Sequence, residues 1–289
     1  MKTILVTGAN GQLGNELKKL SANHKSYNFV FTDLPEVDLT NADELNIFLK
    51  KINPDIIINT AAYTAVDLAE SNVETANNVN VNAVANIAKY CSYHNCFLIH
   101  FSTDFVFDGL SSIPYIETDS ANPTSVYGKT KYDGEKEIFL NTKKAAIIRT
   151  SWLYGNYGNN FMKTMLKLGK EKEVVSVVFD QIGTPTWSAD LAETVLKLTD
   201  KIDNISNVEL FHYSNEGVAS WYDFTHEIFN LSNTKAKLIP VETKDFMRPA
   251  KRPAYSVLNK SKIKNFLNID IPHWKDSLKK CIENELSNK

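Results

Sequence analysis

The chain has 289 residues, of which 43% are hydrophobic and 11% aromatic, and 32 Lys and Arg against 34 Asp and Glu give a formal charge of -2. This length suits one large α/β domain or a domain with a smaller lobe, and the balanced charge argues against a nucleic-acid-binding protein. We expect no membrane span, because no apolar run approaches ~20 residues, and no signal peptide, because the N-terminal apolar run is too short.

The three cysteines, Cys91, Cys96 and Cys281, form no paired framework, which fits a reducing cytoplasm. Cys91 and Cys96 have no further Cys or His at zinc-ligand spacing, so no zinc site is expected there.

A glycine-rich turn follows the first predicted strand. Residues 3–7 are predicted to form a short buried strand, and Gly8, Gly11 and Gly14 follow it before a helix near Asn15. Such glycines permit a tight turn, bring backbone N–H groups to a pyrophosphate and let helix and strand pack closely. Because G-x-x-G-x-x-G is a variant of the dinucleotide fingerprint in its required context, it predicts cofactor binding.

The second predicted strand, residues 28–32, ends in Asp33. An acidic side chain at about this distance from the glycine turn can accept hydrogen bonds from the adenosine ribose and would repel a 2′-phosphate. Asp33 therefore favours NADH over NADPH, although a loop Asp can also simply cap a turn. Asp38 either caps the helix that begins near Asn41 or lies close to the adenine.

Two further strands, residues 55–60 and 97–101, have the continuous apolar character of parallel-sheet strands. They are separated by a helix over residues 74–90. His100 lies inside the second strand and is interpreted as a core histidine rather than a catalytic one.

Small or polar residues follow both strands at the edge where doubly wound sheets bind ligands. Ala61, Ala62 and Tyr63 leave room for a cofactor. Thr103 can hydrogen-bond a reacting carbonyl and Asp104 can accept from a sugar hydroxyl, while the alternative is a capping cluster that ends the strand.

The stretch from Thr124 to Phe139 is predicted to be helical, with Ser125 or Thr124 as its N-cap. Tyr127 and Lys131 are then one turn apart on one face. A phenol has a pKa near ~10, and a cation beside it is expected to lower that pKa toward the working range. The pair is a candidate acid/base unit; the alternative is an exposed turn whose Tyr and Lys merely share a face.

The later chain continues the α/β pattern and then becomes less regular. Trp152 follows a strand over residues 145–150, where it either stacks on a sugar ring or anchors a lobe core. Residues 246–258 contain two prolines, Pro249 and Pro253, and cannot be regular helix, and an Arg there suits bidentate capture of a diphosphate. The remaining predicted elements are helices over 161–168, 189–199 and 260–286, a helix capped by Ser220, and strands over 173–178 and 209–213.

This alternation predicts an α/β fold with a doubly wound, Rossmann-like parallel sheet and a smaller C-terminal substrate-binding lobe. Residues 1–150 are assigned to the dinucleotide-binding domain, with later returns near 188–214. Residues 151–289 are assigned mainly to the substrate-binding lobe.

Several motifs together resemble one family. The segments that carry the resemblance are VTGANGQLG, NTAAYTAVDLAE, STDFVFDG, YGKTKYDGE, RTSWLYG, DQIGTPT, SWYDF and RPAYSVL. They are similar to the extended short-chain dehydrogenase/reductases and, more closely, to the dTDP-4-dehydrorhamnose reductases. Phe105 departs from the family, which commonly has Tyr there.

The resemblance assigns roles residue by residue. It implies a catalytic trio of Thr103, Tyr127 and Lys131. The implied substrate residues are Thr103, Asp104, Trp152 and Arg252. The implied cofactor residues are Gly8, Asn10, Gly11, Gln12, Leu13, Gly14, Asp33, Asp38, Leu39, Ala61, Ala62, Tyr63, Tyr127 and Lys131.

The resemblance also implies the reaction: reduction of the C4 keto group of dTDP-4-dehydro-L-rhamnose by NADH or NADPH, the last step of dTDP-rhamnose biosynthesis, in the cytoplasm. The alternatives are another sugar-nucleotide epimerase, dehydratase or reductase of the superfamily, or a non-catalytic regulatory subunit resembling the β subunit of methionine adenosyltransferase. Some relatives bind Mg²⁺ between subunits through glutamates. Those ligands are not placed in this sequence, so a homodimer and a Mg²⁺ ion are open expectations, and no metal-ligating residue is assigned.

Overall fold

The structure is a computed structural model that describes residues 1–287. Its strands are β1 Lys2–Thr7, β2 Tyr27–Thr32, β3 Ile56–Asn59, β4 Phe97–Thr103, β5 Ala145–Thr150, β6 Leu153–Tyr154, β7 Val174–Val178, β8 Ile182–Gly183, β9 Thr186–Trp187, β10 Val208–Tyr213, β11 Ala219–Ser220 and β12 Lys237–Val241. Its helices are α1 Gln12–Ser21, α2 Ala42–Ile52, α3 Val66–Ala69, α4 Val73–Asn77, α5 Ala83–His94, α6 Val126–Asn141, α7 Phe161–Glu171, α8 Ser188–Thr199, α9 Trp221–Leu231, α10 Ser261–Leu267 and α11 Trp274–Ser287.

A parallel sheet with the order β10-β5-β4-β3-β1-β2 forms the centre of the part that the structure describes. Successive side chains of a strand point to opposite faces. Ile4 and Val6 accordingly pack in the cluster that contains Leu17 of α1, whereas Leu5 packs in the cluster that contains Leu49 of α2. Both faces are therefore covered by helices, which explains the nearly continuous apolar strands. The predicted Rossmann-like α/β fold is confirmed.

Residues after 150 contribute to two separate cores. Leu191 of α8 and Phe211 of β10 join the core on one face of the sheet. A second cluster forms around Phe224 of α9 and Trp274 of α11, with α7 and the parallel pair of β7 and β12 beside it. The second cluster gives the C-terminal part of the chain its own apolar support.

Most element predictions are confirmed, including Ser125 and Ser220 as N-caps. The helix predicted over 74–90 is a continuous helical run over 73–94, in which residues 78–82 form a π-helical turn.

Two expectations need correction, and one strand was not predicted. The helix predicted over 260–286 is wrong, because α10 ends before Asn268, which adopts a left-handed conformation with φ 55°, and α11 begins only at Trp274. Asn41, not Asp38, caps α2 by accepting from the Glu44 N–H. Strand β12 was not predicted, since its Lys237–Val241 segment includes a proline that is unusual inside a strand.

A buried ion pair attaches α6 to the sheet. The Nε and Nη2 atoms of Arg149 on β5 donate to the two carboxylate oxygens of Glu135 at 2.8 and 2.6 Å. The two side chains are only 4% and 1% exposed, and the guanidinium lies 5.1 Å from the ring centroid of Phe107. Bidentate geometry of this kind fixes orientation as well as distance, so the pair fixes the rotation of α6 against β5.

We expect Glu135→Ala to lower the free energy of unfolding by about 3–5 kcal/mol, because it leaves the Arg149 charge buried without a partner. The matched control is Asp133→Ala on the same helix, which removes only the exposed pair with Lys136 and should cost less than about 1 kcal/mol. Urea unfolding of both variants measures the difference. Equal losses would show that the buried pair does not hold α6.

Candidate active site

The glycine turn lies against the loop that follows β3. Gly8 has φ +66°, and a Cβ there would meet the Ala61 backbone N at 2.6 Å; a Cβ on Gly14 would meet the Gly8 carbonyl O at 2.4 Å. These positions therefore require glycine. No side chain caps the first turn of α1, so its N–H groups are directed at the space where an anion can bind.

A cleft of about 300 Å³ opens beside this turn. The predicted cofactor residues that line it are Gly8, Gly11, Asp33, Asp38, Leu39, Ala61, Ala62 and Tyr63. Asp33 accepts from the backbone N–H groups of Asn10 and Leu34, both at 2.9 Å. Close backbone approach, free helix N–H groups and a carboxylate at the end of β2 fit the phosphates and ribose of a dinucleotide.

The other predicted cofactor residues of the turn do not line the cleft. The Leu13 side chain packs in the core. The Gln12 side chain donates to the Leu153 carbonyl at 3.4 Å and accepts from Asn160 at 3.1 Å. Leu13 and Gln12 would therefore contact a bound cofactor only through their backbone groups.

Asn80 holds the loop after β3 against α6. Its Oδ1 accepts from the Tyr63 N–H at 2.9 Å, and its Nδ2 donates to the Tyr63 carbonyl and the Thr130 hydroxyl, both at 3.1 Å. The π-helical turn over 78–82 contains Asn80. The sequence alone does not predict this role. Several asparagines lie in that helix, and the sequence does not show that a π-helical turn directs Asn80 toward Tyr63.

The end of β4 contributes Thr103 and Asp104, both nearly fully buried. The Thr103 hydroxyl donates to Asp104 Oδ1 at 3.1 Å and accepts from the Phe105 N–H at 3.2 Å. Asp104 Oδ2 has no partner in hydrogen-bond geometry among the described residues. Burial raises the pKa of Asp104 to about 6, against the opposing effect of the Ser256 and Thr103 hydroxyls. Asp104 is thus a buried acceptor with the Ser256 hydroxyl near its carboxylate and no well-aligned donor to Oδ2 among the described residues.

The N-terminus of α6 is fixed at two points. The Ser125 hydroxyl accepts from the Gly128 N–H at 3.1 Å, and the Glu70 carboxylate accepts from the Val126 N–H at 2.9 Å. A Cβ on Gly128 would meet the Phe105 carbonyl O at 2.2 Å, so the helix lies directly on the turn that follows Thr103. This places the first turn of α6 at the sheet edge.

Tyr127 lies beside Thr103 on this first turn. Its half-buried ring contacts the Phe105 ring edge-on, with centroids 5.5 Å apart. Burial raises the pKa of Tyr127, the Thr103 hydroxyl opposes the shift and Asp104 adds to it. The expectation that Lys131 lowers this pKa is therefore wrong for this structure, because desolvation is the largest cause and Lys131 is not among the groups that shift it.

Lys131 lies one turn further along α6 and is 2% exposed. Burial lowers the pKa of Lys131 to about 8, against the opposing charge of Glu135. Its Nζ lies 3.4 Å from Nε2 of His100, which is fully buried in β4 as predicted for a core histidine. The contact between His100 and Lys131 was not predicted, since the two residues come from different elements.

Arg252 and Trp152 have protein partners. The Nη1 and Nη2 atoms of Arg252 donate to the two oxygens of Asp67, each at 3.0 Å. Although burial alone raises it, the guanidinium holds the pKa of Asp67 below its usual value. The Trp152 indole, at φ +47°, stacks on Trp221 with centroids 3.5 Å apart. Contact of either residue with a sugar nucleotide stays a prediction.

Within residues 1–287, no group of three or more His, Cys, Asp or Glu is arranged to hold a metal ion, so the Mg²⁺ expectation finds no ligand set there. The three cysteines are free and buried. In the same residues, no helix has both the length and the apolar character needed to cross a membrane.

Comparisons with known proteins identify the family of the chain. A family model described as RmlD substrate binding domain matches residues 1–287. The dTDP-4-dehydrorhamnose reductase of Aggregatibacter actinomycetemcomitans is 42% identical over 287 residues, which cover 96% of this chain and 98% of that protein.

Two solved structures extend the similarity to the fold. The dTDP-4-dehydrorhamnose reductase of Clostridium acetobutylicum has a TM-score of 0.93 and 42% identity, covering 99% of this chain and 100% of that chain. The enzyme of Bacillus anthracis, in complex with NADP, has a TM-score of 0.92 and 39% identity, covering 98% and 99%. These matches confirm the resemblance seen in the motifs: the chain belongs to the dTDP-4-dehydrorhamnose reductase family.

Proposed function

We propose that this protein reduces the C4 keto group of dTDP-4-dehydro-L-rhamnose to give dTDP-L-rhamnose, the last step of dTDP-rhamnose biosynthesis. The observation that carries the proposal is the meeting of Thr103 and Tyr127 at the sheet edge, with Lys131 one helical turn away. The residues of the cleft fit NAD(P)H, which when bound supplies the hydride. The family membership supports the same reaction.

Tyr127 provides the proton. Reduction of a ketone places negative charge on its oxygen, and a phenol whose pKa is raised by burial still holds its proton at neutral pH. The Thr103 hydroxyl, beside Tyr127, holds the same oxygen. Together they stabilise the charge where it develops, which is usually the largest contribution to catalysis.

The remaining site residues bind rather than react. Lys131 binds the nicotinamide ribose, and Asp104 accepts from a sugar hydroxyl through the oxygen that lacks a protein partner. Trp152 contacts the deoxysugar and Arg252 contacts the diphosphate. On this proposal residues 1–150, with the returns near 188–214, bind the cofactor, and residues 151–289 mainly bind the sugar nucleotide.

We infer that NADH is preferred to NADPH. Asp33 and Asp38 both line the cleft, and none of its lining residues is Lys or Arg. A 2′-phosphate near these carboxylates would meet like charge with no cation to balance it. We further propose that the protein acts in the cytoplasm, which its free, buried cysteines support. A homodimer stays an open expectation of the motif resemblance.

The proposed reaction is tested by incubating the protein with dTDP-4-dehydro-L-rhamnose and NADH and identifying the product by NMR. We expect one NADH to be oxidised for each dTDP-L-rhamnose formed. An epimerase or dehydratase would instead turn over without net NADH consumption, and a regulatory subunit would show no turnover. A product with the opposite C4 configuration would overturn the assignment to rhamnose.

Tyr127→Phe should lower kcat by about 10²–10⁴-fold, the usual contribution of a placed general acid, while the Kd for NADH changes little. Tyr132→Phe on the same helix is the matched control, because Tyr132 packs in a separate apolar cluster. Steady-state kinetics and NADH titration measure both quantities. A loss of less than about threefold would remove Tyr127 from the chemistry.

The cofactor preference is tested with Asp33→Asn. We expect the wild type to have a higher kcat/KM with NADH than with NADPH, and the substitution to reduce that ratio by about 5–10-fold, the effect of removing ~1 kcal/mol of like-charge repulsion. Asp43→Asn, exposed on α2, is the control. A wild type that prefers NADPH, or a ratio unchanged in Asp33→Asn, would contradict the inference.

A further inference from the structure

A chain of buried polar side chains runs across three strands to Lys131. The Thr7 hydroxyl on β1 lies 2.7 Å from Asn59 Oδ1 on β3, and Asn59 Nδ2 lies 3.1 Å from Nδ1 of His100 on β4. His100 Nε2 then lies 3.4 Å from Lys131 Nζ. All four residues are at most 2% exposed, so their polar side-chain atoms need hydrogen-bond partners inside the fold.

The amide orientation of Asn59 decides which nitrogen of His100 carries the proton. With Nδ2 facing the ring, Asn59 donates to Nδ1, and the proton of a neutral imidazole is then on Nε2. That N–H would face Lys131, which offers only donors while it is an ammonium. This arrangement therefore satisfies every group only if Lys131 is a neutral amine.

The opposite amide orientation suits a charged Lys131. Exchange of the Asn59 oxygen and nitrogen lets Nδ2 donate to the Thr7 hydroxyl and Oδ1 accept from Nδ1–H of His100. The two orientations have nearly the same shape and are told apart by their hydrogen bonds. His100 Nε2 then has a free lone pair directed at the ammonium, and an ammonium donor makes the stronger bond.

We propose that His100 is a positioning residue for Lys131: as a neutral imidazole with its proton on Nδ1, held by Asn59, it accepts a hydrogen bond from the Lys131 ammonium at Nε2. Its catalytic meaning rests on the proposed function, in which Lys131 binds the nicotinamide ribose. The chain back to Thr7 connects this lysine to the strand that leads into Gly8. One buried network thus joins the cofactor turn to the catalytic helix.

The charges around Lys131 agree with this assignment. Burial and the nearby Lys131 hold the pKa of His100 well below its usual value, so the ring stays neutral. Glu135 on the same helix favours the ammonium, but its carboxylate is shared with Arg149 on β5. Tyr127, also on α6, is protonated in the working range. The uncharged acceptor His100 is therefore a principal support of the ammonium.

The tautomer can be read directly by ¹⁵N NMR of the imidazole. The chain has 6 histidines, and loss of one signal in His100→Gln assigns His100. At neutral pH we expect a protonated Nδ1 and an unprotonated Nε2, and in Lys131→Met we expect the Nε2 signal to move because its donor is gone. A proton on Nε2 in the wild type at neutral pH, or an Nε2 signal unaffected by Lys131→Met, would overturn the proposal.

A kinetic test separates positioning from core packing. His100→Phe keeps an aromatic ring but removes the acceptor, so the pKa of Lys131 should fall further below about 8. The ammonium is lost as pH rises through that pKa, so the basic limb of the kcat/KM profile for NADH should move down by about one pH unit. His100→Gln, whose amide oxygen can accept, should restore the limb; His94→Phe, exposed on α5, is the control.

A limb that stays in place in His100→Phe would show a packing role only and would overturn the proposal. If His100→Phe does not fold, the NMR experiment on the wild type and Lys131→Met decides. The NMR experiment needs no turnover, so it also distinguishes the two proposals. If the expected tautomer is found but the protein does not reduce the sugar, the proposed function is rejected and the role of His100 stands. If the protein reduces the sugar but His100 has the other tautomer, the proposed function stands and the role of His100 is rejected.

Discussion

The burial of the Lys131 ammonium is the constraint on which the site depends. Taking an ammonium out of water is costly unless it is paired and hydrogen-bonded. Two groups stabilise the buried ammonium: the Glu135 carboxylate one helical turn away and the neutral acceptor His100. Because Arg149 also uses Glu135, two buried cations share one buried carboxylate.

Close backbone contacts place α6 with the accuracy that such a site needs. A Cβ on Gly128 would meet the Phe105 carbonyl O, and a Cβ on Gly134 would meet the Asn80 carbonyl O, each at 2.2 Å. The helix therefore touches the turn that follows β4 at Gly128 and the π-helical turn at Gly134, six residues further along. Tyr127 and Lys131 lie on the stretch around these two contacts. Positioning by main chain rather than by flexible side chains leaves little freedom to the reacting groups.

The sequence predicted what depends on neighbouring residues. The apolar strands, the glycine turn and the Ser125 cap are all local patterns, and each is found where expected. The i, i+4 spacing likewise placed Tyr127 and Lys131 on one face of α6. The break near Asn268 was missed because the apolar residues on both sides of it fit a single helix. The local stop signals are nevertheless present, because Asn268 suits a left-handed C-cap and Pro272 cannot continue a helix.

What the sequence could not predict are pairings between distant parts of the chain. Lys131 meets His100, Asn80 meets Tyr63, and Trp152 meets Trp221 only because the fold brings them together. The pKa values of Tyr127 and Lys131 likewise depend on burial by distant elements. Spacing suggested that a cation beside Tyr127 would lower its pKa, but spacing carries no information about burial, and burial decides the direction.

The pair of Arg252 and Asp67 shows how distant pairing can connect the two parts of the chain. Asp67 lies on α3, which follows the loop that lines the cofactor cleft, and Arg252 lies in the proline-rich loop near the C-terminus. Two bonds to Asp67 and one to the Ala250 carbonyl use three of the five guanidinium N–H donors. An arginine that binds a diphosphate with the remaining donors would keep its hold on Asp67. Asp67 therefore fixes the orientation of the Arg252 guanidinium and ties the loop that carries it to the segment beside the cleft.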